Sequence, residues 1–181
     1  DWSDSLLDKC GLSRSQMPTL VEGCEVSATL DPQVAERWGL NASVAVAGGG
    51  GDNAVSAIGV GAVSPGDAFI SLGTSGVLFV VTYAYRPAPQ SAVHAFCHVL
   101  PNLWHQMSVM LSAASCLQWF CRLTGTTEVA LLEEIAQLSE EEKAHAPFFL
   151  PYLSGERTPH NDPDARGMFW GMTHSLSLIH I

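Results

Sequence analysis

Val44-Ala45-Val46-Ala47-Gly48-Gly49-Gly50-Gly51-Asp52-Asn53-Ala54 is the stretch on which the fold turns. A short apolar run, a block of glycines, an acid–amide pair and a small-residue segment through Ala57, Ile58 and Gly61 read as strand, turn and helix. That order marks an α/β chain, in which ligands gather at the carboxyl ends of strands. Backbone without a Cβ lets a ligand come close. Asp52 then stands where a carboxylate can take a proton from a hydroxyl as general base. Asn53 adds an amide able to hydrogen-bond a polyol. The plainer reading is a glycine loop with Asp52 as a helix cap, and the short motif alone favours it.

Upstream, Asp31-Pro32 opens a helix that Gly39 stops, with the acid as cap and proline in the first turn. Asp1 to Pro18 reads as a polar helical stretch carrying Trp2, Leu6, Leu7 and Leu12. A loop from Leu20 holds a short strand near Val26–Leu30. Downstream, Ser64-Pro65-Gly66 marks a turn and a boundary. Ala68–Leu72 and Val77–Thr82 are strand-like runs joined through Gly73-Thr74-Ser75-Gly76, a hairpin. Its successive N–H groups and two hydroxyls can cradle a phosphate without a lysine; an ordinary turn explains them equally well.

Tyr83 to Gln90 is a proline-rich loop, and His94–Val99 with Trp104–Val109 form a second strand pair turning at Pro101-Asn102. Met110 to Leu123 reads as a helix ended by Gly125, with Trp119, Phe120, Cys116 and Cys121 in its core. Leu131, Ile135 and Leu138 mark another helix, with Glu140–Lys143 as its polar exit. Phe148–Leu150 suits a buried strand. The loop from Tyr152 to Gly167 carries Glu156, Arg157, His160, Asp162, Asp164 and Arg166. Arg157 can meet a phosphate or carboxylate, but a local Glu156–Arg157 or Asp164–Arg166 network fixing the loop is preferred. His94 and His98 share a strand face without a third ligand, so no metal site is expected.

Eight Lys+Arg against eighteen Asp+Glu leave the 181 residues at −10, which argues against a nucleic-acid partner. With 47% apolar and 14% charged residues, the chain has material for a core, and disorder is excluded. No apolar run reaches the ~18–20 residues of a membrane span. No basic segment precedes an apolar one at the start, so no signal peptide is expected, and the missing initial Met suggests a piece of a longer protein. Cys10, Cys24, Cys97, Cys116 and Cys121 have no C-x-x-C spacing and are expected as free, mostly buried thiols in a reducing cytoplasm.

Together these pieces resemble the FGGY-type carbohydrate kinases, from Trp2-Ser3 through about His174. The most specific stretches are Gly49–Ala54, Ala68–Val77, Ser108–Trp119 and Phe149–Gly171. Ser91–His98 and Met107–Ser115 are more similar to the family's xylulokinase branch than to its glycerol kinases. The resemblance implies an actin-like ATPase (ribonuclease H-like) fold, with sugar and ATP between two domains. Residues 1–63 would end the first, sugar-binding domain and 64–174 begin the second, nucleotide-binding one. Asp52 then matches the catalytic base and also a sugar contact, Asn53 a sugar contact, and Gly73, Thr74 and Ser75 the turn holding ATP phosphates. Mg²⁺ would accompany ATP, no metal ligand being implied among these residues. The implied partners are a small sugar and ATP, with neither nucleic acid nor membrane, in the cytoplasm. The resemblance is also compatible with a homodimer of the complete protein.

The family's first-domain phosphate turn, its N-terminal sugar residues and its late adenine site have no counterpart here. Ser175 to Ile181 departs from the family pattern and is read as a non-native tail. The expected activity is ATP-dependent phosphorylation of D-xylulose to D-xylulose 5-phosphate by the complete protein, with this chain alone inactive. The alternatives are a kinase for ribulose, gluconate or glycerol, a sugar or nucleotide sensor on the same fold, and an interaction module unrelated to ATP.

Overall fold

Two antiparallel strands, β1 (Val26–Thr29) and β2 (Ala45–Ala47), deliver the chain to the glycine block, with a register irregularity between Val26 and Ala28. Helix α2 (Pro32–Trp38) connects them. Its cap follows the sequence: Asp31 Oδ1 accepts the N–H groups of Gln33 and Val34 at 2.9 and 3.2 Å, and Gly39 closes it in the left-handed region. The computed structural model describes residues 1–177.

The opening stretch is not one helix. After α1 (Asp4–Lys9) the chain turns at Gly11 and forms a short 3-10 turn at Arg14–Gln16. Arg14 reaches back to Asp1 and Asp4 at 2.9 and 2.6 Å, folding the segment on itself. These are exposed pairs and contribute little stability.

Helix α3 (Asp52–Val60) leads through a turn into β3 (Ala68–Leu72) and β4 (Gly76–Thr82). Asp67 secures that turn by accepting the N–H groups of Val63 and Ser64. With β5 (His94–Cys97) and β6 (Trp104–Met110) these strands form an antiparallel sheet ordered β3-β4-β6-β5. Alternation along the strands puts Phe79, Val81, His105 and Met107 on one face, against Ala57 and Ala62. Phe79 lies flat between Phe69 and His105, with ring centroids at 4.8 and 4.2 Å. The opposite face leaves Ile70 and Leu72 66% and 71% exposed. The core promised by the composition is therefore confined to one side of this sheet.

Helix α4 (Ala114–Thr124) begins later than the sequence suggests, because Met110 is still paired to Gly76 in the sheet. Gly125 ends it as expected. Helix α5 (Glu128–Gln137) is followed by α6 (Glu140–Ala144) where a polar exit was expected; Ser139 and Glu142 close a capping box there. Finally β7 (Phe148–Leu150) pairs with β8 (Met168–Trp170). The cysteines are free, but Cys10, Cys24 and Cys97 are exposed, correcting the expectation of mostly buried thiols. Each of these three lies at the end of an element or in a loop rather than on a packed face. No helix among the described residues is long and apolar enough to cross a membrane.

Candidate active site

The glycine block is held by close approach. Gly48 and Gly49 donate to the carbonyls of Glu25 and Gly23 at 2.9 and 3.0 Å, extending the β1–β2 ladder. A Cβ on Gly48 would fall 2.6 Å from the carbonyl oxygen of Glu22, so the position requires glycine. Gly51 is the N-cap of α3, and Asp52 is the first helical residue. Its Oδ1 accepts the N–H of Asn53 at 2.8 Å and faces the Asn53 amide at 3.4 Å. The carboxylate is thus not the helix cap. It is exposed at a helix N-terminus, where the backbone favours negative charge.

Asp52 and Asn53 open on a cleft of about 570 Å³, completed by Gly51, Ala54, Phe96, Cys97, His105 and Met107. One wall is polar helix terminus and the other an aromatic sheet face. His105 is 3% exposed, and its Nδ1 has no hydrogen-bond partner among the described residues. Burial, and then the neighbouring His98, push it down from 6.5 to about 4, so it is neutral near pH 7. Sequence reasoning missed this residue; the alternation of His105 with Met107 was its only signal. His94 and His98 do lie on the same side of the sheet, His94 opposite Met107 and the His98 ring against Phe79 and His105, although β5 itself ends at Cys97; of the two, His98 is the buried one. It turns into the core, where Nδ1 accepts from Leu100 N at 3.0 Å and Nε2 donates to the Ala62 carbonyl at 3.2 Å. His94 instead stacks on Phe96 at 5.6 Å. Among the described residues no group of three or more His, Cys, Asp or Glu could hold a metal ion.

Gly73, Thr74 and Ser75 lie outside this cleft, at the end of the sheet where Gly76 pairs with Met110. That is five residues along β6 from His105, or about 17 Å at the strand rise. The turn is docked on the start of α4. Ala113 N donates to Thr74 O, Ala114 N to Gly73 O and Ser115 Oγ to Thr74 O, each at 2.9 Å. These bonds use the turn's carbonyls and leave the hydroxyls of Thr74 and Ser75 without partners among the described residues. An anion would meet those hydroxyls without displacing a bond.

Of the two charge networks expected in the loop after β7, only the Asp164–Arg166 pair forms. Glu156 is 3% exposed, and its Oε1 accepts the N–H of Leu111 at 3.1 Å and of Arg157 at 2.7 Å. It does not pair with the Arg157 guanidinium, because backbone donors reach the buried carboxylate first. Asp164 and Arg166 do approach, at 3.7 Å, both exposed. Burial, and then the charge of Glu156, push the Cys116 thiol upward, which keeps it protonated and unreactive.

Residues 68–181 match the profile of the FGGY family of carbohydrate kinases, C-terminal domain, and residues 1–59 that of its N-terminal domain. The chain is 57% identical to the xylulose kinase of Escherichia coli K12 over 174 residues, 96% of this chain and 36% of that protein. It is 53% identical to the xylulose kinase of Klebsiella pneumoniae, again over 96% of this chain and 36% of that protein. A crystal structure of a xyloylose kinase from Brucella ovis superposes with a TM-score of 0.93 at 54% identity, covering 99% of this chain and 37% of that one. The chain thus spans about 36% of the length of the curated relatives it matches.

Proposed function

Because the chain belongs to the FGGY family of carbohydrate kinases and has its actin-like ATPase fold, we propose that the complete protein transfers the terminal phosphoryl group of ATP to D-xylulose. The observation that carries this reading is Asp52, exposed at the N-terminus of α3 and opening on the cleft. Asp52 accepts the proton of the attacking 5-hydroxyl as its oxygen bonds to the γ-phosphorus and the bond to ADP breaks. Asn53 hydrogen-bonds the sugar beside it. Gly73, Thr74 and Ser75 form the turn that holds the nucleotide's phosphates, through the N–H groups of Thr74 and Ser75 and their two hydroxyls, the Gly73 N–H being taken by Ser75 O at 3.0 Å. Bound with ATP, Mg²⁺ would supply charge neutralisation at the phosphates that the Gly73-Thr74-Ser75 turn would hold, needing few protein ligands of its own.

On this reading the division falls at Ser64, with 1–63 closing the sugar-binding domain, 64–174 opening the nucleotide-binding one and 175–181 a non-native tail. Residues 178–181 of that tail lie outside the described residues. Movement of the two parts together would bring turn and cleft into register and exclude water. This chain alone, about 36% of its relatives' length, is expected to turn over no ATP.

The test is sugar-dependent ADP formation by the complete protein, with Asp52→Ala beside it. We expect activity on D-xylulose and a fall in kcat of about 10²–10⁴-fold in the variant. Turnover on another polyol instead would keep the mechanism and replace the substrate. Equal turnover with and without the carboxylate would remove Asp52 from the reaction.

A further inference from the structure

Resting on that phosphoryl-transfer reading, we propose that Glu156 is the positioning residue of the Gly73-Thr74-Ser75 turn. The loop that carries it is firmly built: Glu156 and Asp162 exchange backbone hydrogen bonds at 2.9 and 2.8 Å. Beside it, Thr158 N donates to Val109 O at 3.2 Å, while its Oγ1 accepts from Val109 N and donates to Ala92 O, both at 3.1 Å. This loop therefore grips β6 at Val109. Two residues further on, past the end of the strand, the Glu156 carboxylate grips Leu111 N.

Leu111 to Ala113 is the link between β6 and α4, and it has no strand neighbour of its own. The bonds that fix the turn's carbonyls come from Ala113, the last residue of the link, and from Ala114 and Ser115 directly after it. Glu156 thus fixes one end of a short segment whose other end sets the turn. A carboxylate suits that task, because charge-assisted bonds to backbone N–H groups are short and strong. Burying one is costly unless such donors satisfy it, and here two do, both on Oε1. A carboxylate that merely glued the loop would affect both substrates alike when removed. One that places the phosphate turn affects ATP alone.

Steady-state kinetics of the complete protein, varying ATP and sugar separately, distinguish the two. Glu156→Ala should raise the KM for ATP about tenfold and leave that for the sugar within about twofold. Glu156→Gln keeps an acceptor oxygen without the charge and should fall between, at about threefold for ATP. Parallel changes in both KM values, or no change in either, overturn the proposal. If Glu156→Ala does not fold, the ATP-to-sugar split in Glu156→Gln decides by the same criteria. Amide hydrogen exchange gives a readout independent of turnover. In whichever variant folds, exchange at Ala113 and Ala114 should accelerate by at least about threefold while α3 is unchanged. Unchanged exchange there, or acceleration throughout the chain, overturns the coupling. A complete protein that phosphorylates no sugar would sink the kinase reading, and the exchange result would still decide whether Glu156 holds the turn.

Discussion

Two glycine-containing turns follow strands in this chain, and they are held in opposite ways. The first is fixed at Gly48 by lack of space: the backbone of Glu22 approaches so closely that any side chain there collides with it, although Gly49 and Gly51 have open space. Gly73 to Ser75 has room around it, and a Cβ on Gly73 would meet nothing nearer than Ser75 O at 3.7 Å. Its position comes from donors on α4. The first arrangement suits a carboxylate that must be aimed at one hydroxyl. On the proposed reading, the second suits a cradle whose hydroxyls would meet a phosphate, adjusted through the segment behind it.

The sharpest break in that comparison is Gly48→Ala. The added methyl must push the backbone of Glu22 away, which should destabilise the chain by about 3 kcal/mol in urea unfolding. Gly73→Ala should stay within about 0.5 kcal/mol of the parent. Equal losses in the two variants would mean that the turns are held alike.

What was legible in the sequence was what depends on near neighbours. Asp31-Pro32 with Gly39, the β3–β4 hairpin and the Gly125 stop all carry their signals within a few residues, and all stand in the structure. Asp52 and Asn53 were legible as a pair for the same reason, and they line one cleft. What escaped depends on distant partners. Nothing in the apolar run from Met110 says that its first residue pairs with Gly76. Adjacency suggested an ion pair for Glu156 with Arg157, whereas the carboxylate reaches a backbone N–H 45 residues away. The cysteine spacing suggested buried thiols, and the apolar composition a core. In a chain spanning about 36% of its relatives, faces such as Ile70 and Leu72 remain uncovered.

A smaller effect separates the surroundings of the two turns by pH. His105 lies under the Asp52 cleft and has a folded-state pKa of about 4 against an ordinary 6.5. Between those values the unfolded chain binds the extra proton and the folded chain does not. The stability is therefore fully present above pH 6.5 and is lost as pH falls toward 4. The loss from this residue should be on the order of 3 kcal/mol. His105→Phe keeps a ring against Phe79 and removes the unpartnered Nδ1, so urea unfolding across that pH range should have a flatter slope. The same slope in both proteins would assign the titration to another group. Exchange at Thr74 and Ser75 should not follow this titration, because the turn is held from α4 rather than from the cleft wall.

The smallest effect tests the cradle directly. The Thr74 hydroxyl makes no hydrogen bond among the described residues, so Thr74→Val removes nothing that the fold uses. Unfolding free energy should change by less than about 0.5 kcal/mol. The carbonyl that accepts from Ala113 and Ser115 remains, so the turn keeps its place. In the complete protein, a hydroxyl that meets phosphate is worth about 1 kcal/mol, and the KM for ATP should rise about fivefold with the sugar KM unchanged. Thr74→Ser restores the hydroxyl and should restore the affinity. A loss of stability in Thr74→Val with no change for ATP would invert the assignment: the side chain would then serve the fold, and the phosphate contact would rest on Ser75 and the backbone.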